Sequence, residues 1–448
     1  MTSYAAKTAR LLADIAAARQ MGQPAVGLTK STSNLFRTRS GRRPPHIDVG
    51  HFDSVIRVDA GASRVEAEGM TTFVALADAT LAAGTMPAVV PQLKSITLGG
   101  AVAGVGIEAT SFRHGLVHDT ILAMDILTGD GRIVTCTAEN EHRDLFHAFP
   151  NSYGTLGYAL KLTARTIPVR RYVRVDHTRF AQPDRFFVEV AQCCSDPTVD
   201  FVDAVAFDRN DLVLSCGRFV DDAPWLSDYT YDRIYYRSLR ENPVDYLATR
   251  DYLWRWDTDW FWCSKNVGAE HPLLRRLLGR RRLNSITYQK IMRFNARWHV
   301  TAALDRLRGR YSESVIQDVD IPLAHAPAFL EFLHEEVGIL PIWICPIRAP
   351  DPSAEATLYP LPRGTLSINF GFWDTVASRQ PRARGFVNRR IERRVGELGG
   401  VKSLYSDSYF TEAEFWSIFD GRAYTAVKKR YDPAGAFGDL YAKCVLRH

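Results

Sequence analysis

PQLKSITLGGAVAGVGI, running from Pro91 to Ile107, is the stretch on which the fold turns. Gly99, Gly100, Gly104 and Gly106 fall within eight residues there. Closely spaced glycines let consecutive backbone N–H groups approach an anion such as a pyrophosphate, with the Thr97 hydroxyl as a further donor. The other reading is a tight structural turn beside a helix. A GxGxxG dinucleotide fingerprint fits poorly: the spacing is absent, and no βαβ unit with a ribose-binding acid follows.

Outward from this stretch the elements are short and the loops rich in Gly, Ser and Thr. On the N-terminal side, Tyr4–Gln20 reads as an amphipathic helix. Short apolar runs at Ala25–Leu28 and His46–Val49 flank the polar loop Thr29-Lys30-Ser31-Thr32-Ser33-Asn34. Alternation and β-branched residues predict strands at Val55–Val58 and Arg64–Glu68. Helical spacing over Thr71–Ala83 closes at Gly84, a C-cap. On the C-terminal side, Ile121–Leu127 and Arg132–Cys136 read as strands joined by the Gly129-Asp130-Gly131 turn. A third loop, Ser152-Tyr-Gly-Thr-Leu-Gly157, precedes a segment ending at Val169 and is open to reading as a bulge. By themselves the first and third loops are ordinary turns.

In this order and spacing the three loops resemble the FAD-binding domain of the vanillyl-alcohol oxidase, or PCMH-type, flavoproteins. The resemblance covers residues 25–170. It implies that the first two loops wrap the pyrophosphate and that the third lies near the adenine end. Carried over position by position, it implies FAD contacts from Ser31, Thr32, Ser33 and Asn34, then from Gln92, Thr97, Leu98, Gly99, Gly100, Gly104 and Ile107. Ser111, His114 and Gly115 follow, with Gly154, Thr155, Gly157 and Ile167 beyond. Covalent attachment in that family typically uses a His of the first loop. Lys30–Phe36 holds neither His nor Cys, so noncovalent FAD is expected.

The likeness narrows through GVGIEATSFRHG (Gly104–Gly115), PNSYGTLG (Pro150–Gly157), ILPIWICP (Ile339–Pro346) and LYSDSYFTEAEFWSIF (Leu404–Phe419). These segments resemble Δ24-sterol reductases, and bacterial relatives that reduce a methylene branch on a fatty acyl chain. Epimerase relatives carry a KDS sequence where this chain has Ser406-Asp407-Ser408, so a role for that Lys cannot be carried over. The resemblance implies an α+β fold with three parts: a PCMH-type FAD domain over 1–172, an α+β substrate (cap) domain over 173–400, and a segment over 401–448 returning to the flavin. It also implies reduction of an isolated carbon–carbon double bond in a lipid, with NAD(P)H as co-substrate. The methylene-branched acyl chain is the first expectation, and the sterol the alternative.

Such chemistry needs a hydride from the flavin and a proton from an acid, in a dry site, because an isolated alkene has no carbonyl to polarise. Glu108, Asp407 and Tyr409 are the candidate acids. Glu108 also reads as a hydrogen-bonded structural carboxylate, and His114 as a flavin or packing contact. Two rivals stand beside this reading. An oxidase or dehydrogenase of an alcohol or sugar would turn over with oxygen and ignore NADPH. A non-catalytic lipid binder would purify without flavin.

Bulk composition narrows the field. A chain of 448 residues, 46% hydrophobic and 24% charged, can bury a core without staples. Its formal charge of +6 suits an anionic cofactor or a membrane surface as well as nucleic acid. Ten Lys against 46 Arg points to a GC-rich, bacterial source. Seven cysteines without CxxC or zinc spacing fit a reducing compartment. The first residues lack the apolar core of a signal peptide and no transmembrane-length run appears, so a cytoplasmic protein with peripheral membrane contact is expected. That contact is assigned to Trp254–Arg282, where a Trp-rich segment precedes leucines interleaved with Arg275, Arg276, Arg280, Arg281 and Arg282. Aromatics beside cations suit a lipid headgroup region; an aromatic core with a charged outer face is the other reading. No nucleic-acid module accompanies the charge.

Overall fold

The computed structural model describes residues 2–20, 27–29, 46–231, 233–298, 309–350 and 357–447. Two antiparallel sheets dominate it. The first uses strands β3 (Val55–Asp59), β4 (Arg64–Glu68), β5 (Thr85–Pro87), β6 (Ile121–Leu127), β7 (Ile133–Cys136) and β8 (Tyr158–Pro168). Their order is β3-β4-β8-β6-β7, with β5 pairing β8. A separate parallel pair joins β1 (Gly27–Thr29) to β2 (His46–Asp48). The helix Phe73–Leu81 forms where helical spacing predicted it, capped by the Thr72 side chain and closed by Gly84 at φ +73°.

After Pro168 the chain crosses into an eight-stranded sheet. Its strands are β9 (Tyr172–Phe180), β10 (Phe201–Asp208), β11 (Asp211–Val220), β12 (Val244–Ala248), β13 (Tyr311–Pro322), β14 (Ile342–Ile347), β15 (Ser367–Ser378) and β16 (Val401–Lys402). The order is β12-β9-β11-β10-β14-β15-β13-β16.

The two faces of this sheet differ in chemistry. Val202, Ala204, Leu212, Leu214, Ile342, Ile344, Ile368, Phe370 and Val319 point to an outer face and form one apolar core. Helices Pro183–Ser195, Ala326–Phe332 and Phe386–Glu397 cover it. The alternate residues of the same strands belong to the opposite, inner face, because side chains along a strand have period two. Cross-strand register aligns Asp320 with Asn369, Asp318 with Gly371, Trp343 with Gly371, and Cys345 with Asn369. The apolar members of this inner face, among them Val205, Trp343, Cys345 and Trp373, belong to the core shared with the first sheet. The inner face therefore mixes carboxylates, amides and indoles, whereas the outer face is mostly apolar, with buried Gln317 and Lys402 bonded to Asn388 and Glu392 of the covering helix.

The segment after Ser403 returns to the first sheet. Lys428 donates to the carbonyl of Thr155 at 2.7 Å and Lys443 to that of Tyr153 at 2.7 Å. Tyr431 and Arg430 bond Asp144. The third loop is thus clamped by the chain's last elements.

Candidate active site

The first amides of the glycine stretch find partners within the protein. A helix, Leu98–Gly104, starts directly after Thr97, whose hydroxyl accepts from Gly100 N–H at 3.3 Å. The N–H of Leu98 goes to Thr71 O and that of Gly99 to Gly69 O, both at 2.9 Å. The N–H groups of Leu98, Gly99 and Gly100 are therefore already bonded inside the protein. The glycines serve close packing instead. A Cβ on Gly99 would lie 2.9 Å from Gly69 O, and one on Gly106 would lie 2.7 Å from Val117 Cγ2. Gly157 adopts φ +143°, and a Cβ there would meet Ile126 and the Leu127 carbonyl.

Around these packed elements several polar atoms are buried without a protein partner: Gln92 Nε2, Thr71 Oγ1, Asn151 Oδ1 and Ser152 Oγ. Buried polar groups are almost always satisfied, so orphans gathered beside the second and third loops fit a polar cofactor better than a closed core. FAD fits this donor set. Among the other expected contacts, Thr155 bonds within its own turn and His114 is half-buried and held neutral, its pKa pushed down to about 4 by burial and by Arg113 and Arg165. Gly154 and Gly115 both adopt positive φ, and Ser111 accepts from Glu108 N–H. Ile167 pairs with Met86 in the first sheet. Ser31, Thr32, Ser33 and Asn34 lie outside the described residues.

Glu108 follows the glycine stretch and meets the second sheet. Arg255 donates to Glu108 Oε1 at 3.0 Å and to Asp203 Oδ2 at 2.8 Å. The indoles of Trp256 and Trp343 also donate to Asp203, at 3.1 and 3.3 Å. All three charged groups are sealed from solvent, at 3%, 2% and 1% exposure for Glu108, Arg255 and Asp203. Burial pushes the Glu108 carboxyl up to about 7 despite the pull of Arg255. Its Oε2 has no partner.

A continuous aromatic wall leads away from this cluster. Trp256 stacks on Phe261 at 4.7 Å between ring centroids, and Phe261 meets Trp373 at 4.6 Å. The tryptophans expected at a membrane surface, Trp254, Trp256 and Trp262, and also Trp260, are at most 4% exposed. They form this wall and its surroundings, which corrects their assignment to a lipid headgroup region. Trp260 and Phe261 adopt φ +42° and +59°, a costly backbone for bulky side chains.

At the far end of the wall the Trp373 indole donates to Tyr405 Oη at 3.0 Å. Tyr405 is hydrogen-bonded in turn to Asp318. Two residues along β13, Asp320 accepts from Tyr359 at 2.6 Å and from Asn369 at 2.7 Å. Burial and the charge of Asp320 push Asp318 up to about 7, and burial pushes Asp320 up to about 6. Tyr153 connects this end to the glycine helix, donating to Gly104 O at 3.0 Å.

The candidate acids from sequence are not brought together. Glu108 keeps to Arg255, whereas Asp407 pairs with Arg447 at 3.3 Å. Tyr409 N–H bonds Glu392, and its ring packs over Gly385. Asp203, Arg255, Asp318 and Tyr405 were not singled out by sequence. The available signal was polar residues spaced by two inside apolar runs, as in Gln317-Asp318-Val319-Asp320.

Comparison with known proteins accords with this geometry. A family model described as an FAD binding domain matches residues 3–137. The Δ24-sterol reductase of Homo sapiens is 26% identical over 406 residues, covering 87% of this chain and 75% of that protein. That of Arabidopsis thaliana is 26% identical over 437 residues, covering 89% and 76%. Cytokinin dehydrogenase 9 of Oryza sativa subsp. japonica is 26% identical over 157 residues, 34% of this chain and 29% of its own.

Proposed function

We propose that this chain, a PCMH-type FAD-binding oxidoreductase resembling Δ24-sterol reductases, reduces an isolated carbon–carbon double bond in a lipid. One observation carries the reading: an aromatic wall, closed at each end by a carboxyl whose pKa lies near 7, runs along the sheet face turned toward the glycine helix. Tryptophan and phenylalanine faces suit an apolar chain or ring system. A carboxyl pushed up toward neutrality by burial keeps part of its population protonated there and can lend a proton to an alkene, which offers no acidic or polarised group of its own.

FAD, when bound and reduced, supplies the hydride. The chain's own residues do the rest. Gln92, Asn151 and Ser152 offer their unshared polar atoms to the cofactor, and the first loop is proposed to wrap the pyrophosphate, without a covalent bond. The wall orients the alkene and excludes water. NAD(P)H is the proposed electron donor, using the substrate side of the flavin in turn. The relatives' names favour a sterol-like alkene.

A second substrate reading, a methylene-branched acyl chain within a phospholipid, is favoured by one surface feature. In the helix Pro272–Leu278, Leu273, Leu274 and Leu277 are 64%, 44% and 76% exposed. Arg276, Arg280, Arg281 and Arg282 are exposed beside them. Leucines among arginines suit shallow insertion at an anionic membrane surface, and this supports the proposal that the enzyme works at the cytoplasmic membrane face. Among the described residues no helix is long and apolar enough to cross a membrane.

The test is the visible spectrum of the purified protein, followed anaerobically as NADPH is added and then each lipid. Bleaching by NADPH and recovery on addition of a side-chain-unsaturated sterol supports the first reading; recovery only with methylene-branched phospholipid supports the second. Protein without flavin, or flavin that neither lipid reoxidises, rejects the proposal.

A further inference from the structure

We infer that Cys193 and Cys216 are a modification site, where two thiols close reversibly into a disulfide that staples a covering helix to the second sheet. The inference stands apart from the proposed alkene reduction and needs neither flavin nor lipid.

The pairing follows from where the chain puts the two residues. In the helix Pro183–Ser195, Phe186, Phe187, Val190 and Cys194 are buried against the outer face of the sheet. Cys193 lies one helical turn after Val190, at the border of that buried stripe, and is only half-buried. On β11, Leu212, Leu214 and Cys216 alternate onto the same outer face. The Cys216 thiol donates to Cys193 Sγ at 2.7 Å. A disulfide bond is about 2.05 Å long, so a small side-chain adjustment brings these sulfurs to bonding distance.

The two thiols are unequal, and the inequality sets the order of attack. Among the described residues Cys193 is the one cysteine that is not buried, so an oxidant meets it first. The hydrogen bond from Cys216 holds the Cys193 thiol below its ordinary value against burial, and Arg218 adds to the pull against Glu189 and Asp196. The same hydrogen bond, with burial, pushes the Cys216 thiol up. Cys194, next in the chain, is turned into the apolar core and is pushed up by burial.

The step is thiol–disulfide exchange with a small-molecule disulfide. The Cys193 thiolate attacks one sulfur of that molecule, whose S–S bond breaks; one small thiolate leaves, and a mixed disulfide stays on Cys193. Cys216 gives its proton to the departed thiolate and attacks the Cys193 sulfur. The mixed disulfide breaks, the second small thiolate leaves and takes a proton from water, and the Cys193–Cys216 bond remains. The protein has lost two protons and two electrons, and the small disulfide has become two thiols. A reducing dithiol runs the sequence backwards.

The crosslink would close the loop that docks part of the first 172 residues. Within that loop the carbonyls of Asp196, Pro197 and Val199 accept from Arg113 at 3.1, 3.3 and 2.7 Å. Arg218, two residues beyond Cys216, bonds Thr198 at 3.3 Å and Asp196 at 3.4 Å. Oxidation therefore braces the socket that holds Arg113 and, through it, the short helix Ser111–His114.

The test uses full-length protein, reduced and then incubated with oxidised glutathione. Free thiols are alkylated in denaturant and the chain is cut with trypsin. Cys193 and Cys194 fall in the peptide Phe186–Arg209, and Cys216 falls in Asn210–Arg218. Mass spectrometry is expected to find these two peptides joined, lighter by two hydrogens than their sum, and separated again after dithiothreitol acts on the folded protein. Cys194→Ser should keep the link, Cys193→Ser should abolish it, and Cys216→Ser should leave glutathione on Cys193. For a sequence separation of 23 residues, closing the bond should raise Tm by about 3–4 °C in a chain of this size. That shift should vanish in Cys193→Ser and in Cys216→Ser. Three results overturn the inference: wild type left unlinked by excess oxidised glutathione, a link that survives Cys193→Ser, or a linked protein whose Tm is no higher than that of the reduced one. The last would show that these sulfurs bond only in the unfolded chain.

Discussion

Replacing Glu108 by Gln should change how stability depends on pH, with a sign that the geometry fixes. Burial raises the Glu108 carboxyl from an ordinary value of 4.5 to about 7, even with Arg255 at 3.0 Å. A group whose folded-state pKa is raised contributes stability that is fully present below its unfolded pKa and lost as pH climbs to the folded one. At about 1.4 kcal/mol per pH unit the whole loss is roughly 3 kcal/mol, of which about 2.5 kcal/mol falls between about pH 5 and about pH 8. Glutamine has the same shape and does not titrate, so this component disappears from the variant. It does leave an amide beside Arg255, which lowers stability by about 1–3 kcal/mol at every pH.

For a chain of 448 residues the unfolding entropy is on the order of 0.9 kcal/mol per degree, so 2.5 kcal/mol corresponds to about 3 °C in Tm. Differential scanning fluorimetry of wild type and E108Q, both stripped of flavin, reads this difference directly. Wild type is expected to lose about 3 °C more than E108Q on going from about pH 5 to about pH 8. Curves that stay parallel within about 1 °C would show that burial does not dominate at Glu108. A wild type that gains on the variant as pH rises would refute the reasoning outright, because attraction to Arg255 would then outweigh desolvation.

Three further outcomes are expected. Acid precipitation should release all flavin into the supernatant; a yellow pellet would contradict noncovalent binding. Leu273→Asp with Leu277→Asp should lower co-sedimentation with anionic vesicles by about tenfold or more, since each leucine contributes roughly 1.5–3 kcal/mol when buried, and alanines at Arg280, Arg281 and Arg282 should lower it further at low salt; unchanged binding would remove the membrane proposal. Gly157→Ala places a Cβ 2.5 Å from Ile126 Cγ2 and 2.7 Å from Leu127 O at φ +143°, which should destabilise the first domain by about 3 kcal/mol or more and show as reduced flavin content and Tm; a normal Tm would mean the third loop is not held as described.

The first 170 residues were largely legible because their elements follow simple periods. The β4 and β6 spans coincide with the strands expected from alternation, and Thr72 with Gly84 bounds the helix between them. The glycine stretch was readable as a tight turn beside a helix, but not in the commitments of its amides. Sequence spacing alone could not tell that the N–H groups of Leu98, Gly99 and Gly100 were already committed to Thr71, Gly69 and Thr97. The second sheet was harder, because its inner face breaks the usual inside-apolar pattern. Asp203, Asp318, Asp320 and Asn369 are each at strand positions that periodicity assigns to solvent, and each is held instead by partners far away in the chain. The Trp-rich segment failed for a related reason. An indole suits an interface or a core equally, and what decides here is Asp203, distant in sequence, accepting from Trp256 and Trp343.

Backbone strain gathers at the core shared by the two sheets. Among the described residues, eight non-glycines adopt positive φ, and five of them are Val105, Asn151, Tyr153, Trp260 and Phe261. Left-handed backbone costs on the order of 1–3 kcal/mol per residue and is worst for β-branched and bulky side chains. It persists only where the surroundings over-determine it. Here Tyr153 is fixed by Gly104 O and Lys443, Asn151 by Leu358 O, and Phe261 by rings on three sides. Val105 ends the glycine helix opposite that wall. Tyr153, Trp260 and Phe261 belong to the core shared by the two sheets, and Val105 packs against it. Arg255 ties Glu108, at the end of the glycine stretch, to Asp203 on the second sheet, so under the proposed reduction E108Q is expected to slow flavin reoxidation by the lipid as well as lower Tm, and a variant that reoxidises at the wild-type rate would show that this seam serves stability alone.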